Sequence, residues 1–249
     1  TAEWMRDATR DFATGRTGEA LAAYNQAGMV HVADTRDAAR VALIDRWDAE
    51  RRDAPAASRI ILTHTNDEVK ALNEAARDRL RVHGALGGDV PLKVERGDRT
   101  FAENDRVMFL KNERGLGVKN GTLGTVEQVS DTSIAMRLDD GRRVGFDLKD
   151  YSSFDHGYAA TIHKGQGVTV DRSYVLASPY LDRHATYVAM TRHRESVDLF
   201  YGRDQFTTEK SLVDTLSRER QKDLALDYQG EYARQRGVEP LGNQQEGEK

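Results

Sequence analysis

Arg59-Ile60-Ile61-Leu62-Thr63 is a short apolar run rich in β-branched residues, and the residues after it change period. Val69, Leu72, Ala76 and Leu80 recur three and four positions apart, which puts them on one helical face, and Gly84 stops the pattern. Asn66 stands where that helix opens and is expected to cap it. The same order occurs upstream. Met29-Val30-His31-Val32 reads as a short buried strand, followed by Thr35 as the expected N-cap of a second helix. That helix carries Val41, Ile44 and Trp47 on one side and ends near Pro55. Strands that alternate with helices cannot pair as hairpins, so the pattern implies a parallel sheet wrapped by helices. At the start of the chain, Trp4, Ala8 and Phe12, then Leu21, Ala22 and Tyr24, mark helical segments that Gly28 ends.

From about Asp89 to Asp155 the helical period disappears and alternating runs replace it. Strands are expected at 106–110, 124–129, 133–138 and 143–148, with Asp140-Gly141 as a hairpin turn and Asn120-Gly121 as a weaker one. This segment reads as a small β-barrel inserted into the α/β domain. The α/β rhythm then returns. Residues 158–168 read as a strand-to-helix or loop-to-helix passage, and 173–177 and 197–201 as strands. A helix over 182–193 turns Ala185, Val188 and Ala189 inward, and one over 208–220 carries Leu212 and Leu216. The expected organisation is therefore an α/β domain in two parts, 1–88 and 156–222, interrupted by a β insert at 89–155. A tail follows at 223–249, largely disordered, because 235–249 is Gln, Glu and Gly with no core pattern.

The 249-residue chain has no cysteine, which excludes disulfide frameworks, thiolate zinc sites and cysteine nucleophiles. Runs such as Val41-Ala42-Leu43-Ile44 fall far short of the roughly 20 apolar residues of a membrane span. Trp4-Met5-Arg6-Asp7 stands where the apolar part of a signal peptide would begin. A cytoplasmic location with no membrane partner is expected. The net charge of −4 argues against general coating of nucleic acid but leaves room for a local phosphate site. Thr1 in place of Met leads us to expect a piece of a longer polypeptide.

Two strings carry the chemistry. The first, Tyr158-Ala159-Ala160-Thr161-Ile162-His163-Lys164-Gly165-Gln166-Gly167-Val168, gathers hydroxyl, imidazole, ammonium and amide groups around two glycines. Glycines let a backbone approach a ligand and present its N–H groups, and Thr161, His163 and Lys164 add donors suited to phosphate oxygens. The same string also suits an ordinary glycine-broken turn with solvated polar residues. The second, Tyr187-Val188-Ala189-Met190-Thr191-Arg192-His193-Arg194, ends an apolar helix with two arginines. A rigidly presented guanidinium can stabilise charge on a transferring phosphoryl group; arginine near a helix C-terminus also simply complements the helix dipole.

Taken together, Ala-Thr-Ile-His-Lys-Gly-Gln-Gly and, about 25 residues later, Tyr-Val-Ala-Met-Thr-Arg resemble motifs V and VI of superfamily 1 DNA helicases of the RecD-like branch. Residues 4–30 and 60–80 extend the likeness to the second RecA-like motor domain of Ti-plasmid-type conjugative relaxase–helicases, and the β insert resembles that domain's SH3-like subdomain. The resemblance reaches about Phe206. It departs at Gly165, where Ser or Ala is usual, a change expected to loosen the local backbone.

This resemblance implies an α/β fold with a RecA-like parallel sheet and an inserted small SH3-like β-barrel. It implies ATP with Mg2+ bound between two RecA-like domains, single-stranded DNA crossing both, and 5′ to 3′ translocation. On this chain Gln166 and Gly167 would face the nucleotide, and Arg192 would be the catalytic arginine finger. Thr161, His163 and Lys164 would face DNA, and Thr65 and Asn66, at a strand-to-helix opening, would make a second phosphate site. Simple N-capping is the other role open to Asn66. The chain has no Gly-Lys dipeptide and hence no P-loop, and Asp67-Glu68 lies inside a helix N-terminus, where it complements the dipole. The nucleotide-gripping domain is therefore expected upstream in the same polypeptide, and this chain alone is expected to be inactive as an ATP hydrolase. No His-x-x-x-His with a nearby carboxylate and no Gly-x-Ser-x-Gly elbow occur, so neither a metal site nor a serine nucleophile is expected. The competing readings are a catalytically inert helicase-derived module that binds DNA or protein, and an interaction scaffold built around the insert.

Overall fold

The computed structural model describes residues 2–219; the tail expected at 223–249 lies outside them. The chain opens with α1 (Glu3–Ala13) and α2 (Thr17–Gln26), which bury Met5, Ala8, Phe12, Leu21 and Tyr24, with Trp4 edge-on to Tyr24 at 5.1 Å. Gly28, at φ +73°, ends α2 in a conformation that costs glycine little, and β1 (Val30–Ala33) follows. The Thr35 hydroxyl caps α3 (Arg36–Asp53) by accepting from the Ala38 N–H at 3.1 Å. Ile44 and Trp47 are buried as expected, but Val41 is 55% exposed. It lies about 160° around the helix from Leu43, which with Ala39 and Trp47 forms the true inner stripe.

β2 (Arg59–Thr63) is buried throughout and leads to α4 (Asn66–Val82). The cap of α4 is Thr65, not Asn66: its backbone is extended, its hydroxyl accepts from the Glu68 N–H, and Asn66 is already helical.

Seven antiparallel strands follow. β3 (Val90–Val94) and β4 (Gly97–Phe101) pair with each other. β5 (Arg106–Phe109), β6 (Leu123–Val129), β7 (Ser133–Leu138), β8 (Arg143–Asp147) and β9 (Phe154–His156) form a sheet in the order β8-β7-β6-β5-β9. Gly141, at φ +91°, turns β7 into β8 as read from Asp140-Gly141. Asn120-Gly121 instead sits in the long loop between β5 and β6. β3, β4 and β9 escape the alternation pattern because Pro91 and Gly97 interrupt the first two and β9 has three residues. The sheet curls until its edge strands meet through Phe146 and Phe154, ring centroids 5.7 Å apart, around a core of Val107, Phe109, Ile134 and Met136.

β10 (Ala159–Thr161), β11 (Val170–Leu176), α5 (Arg183–Met190), β12 (His193–Gly202) and α6 (Glu209–Ser217) complete the α/β part. Its sheet has the order β1-β12-β11-β2-β10, and every pairing is parallel. Ile60 and Leu62 face a core shared with α1, α2, α5 and α6, while Ile61 faces α3 and α4. Three expectations need correction. Residues 162–169 contain no helix. α5 stops at Met190, three residues early: Thr191 leaves helical geometry at φ −120°, and Arg192 leads straight into β12, whose first residue, His193, pairs with Val170 of β11. α6 ends at Ser217 rather than at residue 220. Among the described residues no helix is long and apolar enough to cross a membrane.

Buried polar groups tie the insert to the parallel sheet. Asp105, wholly inaccessible just before β5, accepts from Arg77 Nε of α4 at 2.9 Å, the Tyr158 hydroxyl at 2.6 Å and the Ala102 N–H at 2.8 Å.

Candidate functional site

In a parallel sheet all strands end on the same side, so register decides which loops meet. Thr161 of β10 lies beside Thr63 of β2, and the Ile162 N–H donates to the Thr63 carbonyl at 2.9 Å. Thr65, Asn66, Thr161 and His163 therefore emerge together at the C-terminal edge of the sheet. Thr65, Asn66 and His163 are exposed, and Thr161 is half-buried. The oxygens of both threonines accept backbone N–H groups, Thr65 from Glu68 and Thr161 from Lys164 at 3.2 Å, so each hydroxyl keeps its proton for a further acceptor. Glu68 is turned inward: Arg36 Nε donates to it at 2.6 Å and the Thr63 hydroxyl donates to its other oxygen. That engagement leaves the α4 N-terminus to Asn66 and Asp67.

Residues 162–169 run as a strap from this edge to the opposite one, since β11 begins at Val170 on the N-terminal side. Ile162 and Val168 are buried, and the Gly165 N–H donates to the Thr161 and Ile162 carbonyls. Gly165 does not loosen the segment. It is buried, and a Cβ there would lie 2.8 Å from Leu62 Cδ2. Gly165→Ser is expected to cost about 1–3 kcal/mol through overpacking, read as a lower urea midpoint, and Leu62→Val in the same background should recover part of it. Lys164 is half-buried beside the insert. Burial lowers the pKa of its ammonium, and the charges of Arg96 and Lys111 add to the effect.

Gln166 is exposed on the strap, its N–H donating to the His163 carbonyl at 3.3 Å, and Gly167, exposed at φ +83°, lies beside Thr169 and Asp171 of the N-terminal edge. There the Val170 N–H donates to the Arg192 carbonyl at 3.0 Å, which puts Arg192 beside the strap's end. The Arg192 side chain is half-buried and donates from Nη2 to the Thr191 hydroxyl at 2.9 Å. Its Nε is buried without a partner, and among the described residues no carboxylate pairs with it. Its neighbours differ: Arg194 pairs with Asp171 and Arg172 with Glu195, each at 3.1 Å. Burial pushes the pKa of His193 down to about 4, so the adjacent imidazole is neutral and adds no competing charge. Between this edge and the insert runs a groove of about 1050 Å³, lined by Ser58, Gly167, Thr169 and Asp171 and by Lys119 to Thr122.

The structure thus gathers Thr65, Asn66, Thr161 and His163 at one edge and Gly167 and Arg192 at the other, with Lys164 and Gln166 on the strap between. Three neighbours of these groups have no signal in the sequence. Arg96 and Lys111 of the insert approach Lys164, and Tyr180 stacks on His64.

No family model matches the chain. Over 230 residues, 91% of its length, it is 41% identical to the probable conjugal transfer protein TraA of Sinorhizobium fredii, of which the match covers 21%. The chain therefore spans about a fifth of that relative. It is also 32% identical over 109 residues to the ATP-dependent DNA helicase Pif1 of Bdellovibrio bacteriovorus, covering 38% of this chain and 25% of the helicase. Among solved structures it resembles the Pif1 helicase from Bacteroides crystallised with ADP-AlF3 and ssDNA. The TM-score is 0.53 at 20% identity, over 95% of this chain and 55% of the other. That likeness identifies the fold as RecA-like.

Proposed function

We propose that this chain is the second RecA-like motor domain of an ATP-dependent DNA helicase that acts in conjugative DNA transfer, its SH3-like insert included. The observation that carries the reading is the strap: one short segment joins an edge rich in outward donors to an edge that holds an uncompensated guanidinium. The similarity to TraA and to an ATP-dependent helicase supplies the chemistry to which such a link belongs.

In this reading the C-terminal edge holds single-stranded DNA. Thr65, Asn66, Thr161 and His163 donate to phosphate oxygens, and Lys164 adds charge from the strap. Gln166 and Gly167 meet ATP, and Arg192 reaches its γ-phosphate when a preceding RecA-like domain closes on this one. Among the described residues no three His, Asp or Glu side chains converge on a metal site, and Glu68 is held by Arg36 and Thr63. Mg2+ would accordingly be held by the domain that grips the triphosphate. Because the strap hydrogen-bonds to β2 at one end and adjoins Arg192 at the other, a shift at the nucleotide edge moves the DNA-facing groups with it.

Lys164→Ala in the full-length protein tests the DNA side. Loss of one phosphate contact on a single strand reduces the slope of log affinity against log salt by about 0.7, while hydrolysis measured without DNA stays near the wild-type rate. An unchanged slope would overturn the assignment of the strap to DNA.

A further inference from the structure

The C-terminal edge carries a feature that phosphate contacts do not explain. Tyr180 is 70% exposed, unusual for a large aromatic side chain, and its ring lies nearly parallel to that of His64, centroids 5.5 Å apart and planes 20° apart. His64 directly follows β2 and Tyr180 lies four residues beyond β11, the neighbouring strand. Tyr180, His64 and the Thr161–His163 segment therefore form a row across β11, β2 and β10. One face of the tyrosine ring rests on His64, and its exposure leaves the other open.

The turn that presents this ring is tied down on both sides. The Tyr180 N–H donates to Ser178 Oγ at 3.3 Å, Arg218 clamps the Pro179 carbonyl at 2.6 Å, and the next residue, Leu181, is buried. Asp182 then caps α5 by accepting from the Ala185 N–H at 2.8 Å. A backed, solvent-facing aromatic ring on a fixed turn has the form of a stacking platform, and every nucleobase offers it a π-face.

We infer that Tyr180, backed by His64, stacks on one base of the single strand whose phosphates Thr65, Asn66, Thr161 and His163 hold. The inference rests on the DNA reading of this edge. It adds a contact to bases that is independent of sequence, and it places that contact at the head of α5, the helix that leads to Arg192.

The test uses the full-length protein with oligo-dT and with oligo-dT carrying single abasic positions, which keep the phosphate and remove the base. Tyr180→Ala should weaken oligo-dT binding roughly tenfold or more with no change in salt slope, and Tyr180→Phe should bind like wild type. One abasic position should weaken the wild type to a similar degree and leave Tyr180→Ala unaffected. If Tyr180→Ala binds oligo-dT as tightly as wild type while Lys164→Ala weakens it, the stacking contact is refuted and the DNA edge stands. If neither change weakens binding, both fall. Tyr180 is largely exposed, so its removal leaves the core intact.

Discussion

Arg192→Ala in the full-length protein is expected to lower DNA-stimulated ATP hydrolysis about a thousandfold or more, with single-stranded-DNA affinity little changed. The expectation follows from how Arg192 is held. Its charge is balanced by no carboxylate among the described residues, its Nε is buried without a partner, and the neighbouring imidazole is neutral. A guanidinium left in that state has charge available for a phosphate that arrives from outside the chain. The substitution removes a single hydrogen bond, to Thr191, whose hydroxyl remains anchored on Tyr187, so lost turnover would not reflect lost folding. Arg192→Lys should rescue little, because an ammonium cannot reproduce the planar fork. Steady-state turnover and oligonucleotide binding on the same preparations decide the matter. Unchanged turnover would favour a helicase-derived module that binds DNA or protein and takes no part in hydrolysis.

The parallel sheet was legible because β2, one of its interior strands, is an apolar run from Ile60 to Leu62 with two β-branched residues, and a capped, strictly periodic helix follows it. β7 and β8 were legible because their alternation is regular and a glycine marks the turn between them, and β6 because it keeps enough alternation around a bulge at Val126–Gln128. Helix ends were less so. No glycine or proline marks the end of α5 in Thr191-Arg192-His193-Arg194; the helix ends because His193 is drawn into the parallel sheet beside Val170. At the candidate site the residue types were readable and their distribution was not. The string from Thr161 to Gly167 looks like one site in sequence, yet the fold draws its ends to opposite edges of a sheet. Pairings between distant segments left no local trace: Tyr180 on His64, the insert's Arg96 and Lys111 near Lys164, and Arg77 on Asp105 depend on topology that periodicity does not encode.

The last of these pairings carries the largest expected effect on stability. Asp105 is inaccessible to solvent, and its two oxygens serve Arg77, Tyr158 and the Ala102 N–H. Burial works against the Arg77 charge, but hydrogen bonds and charge from Asp105, then Asp89, outweigh it and raise the arginine's pKa. Burial and Asp105 together hold the Tyr158 hydroxyl well above its ordinary range. Asp105→Ala strands a guanidinium and a phenol in the interior and is expected to cost about 3–5 kcal/mol, read as a fall in urea midpoint at unchanged slope. Tyr158→Phe removes one partner and should cost about 1 kcal/mol. Asp89→Ala, at a half-exposed end of the network, should cost less than about 1 kcal/mol. Adding Arg77→Met to Asp105→Ala should recover part of the loss, since the penalty lies in the unpaired charge rather than in the missing bond. If the double variant is instead destabilised by the full sum of the two single changes, Asp105 and Arg77 are not coupled. The junction matters to the strap as well. Asp105 opens the insert's β5, Arg77 lies on α4, whose N-terminus holds Asn66, and Tyr158 immediately precedes β10, so one carboxylate fixes the insert against both elements that form the C-terminal edge.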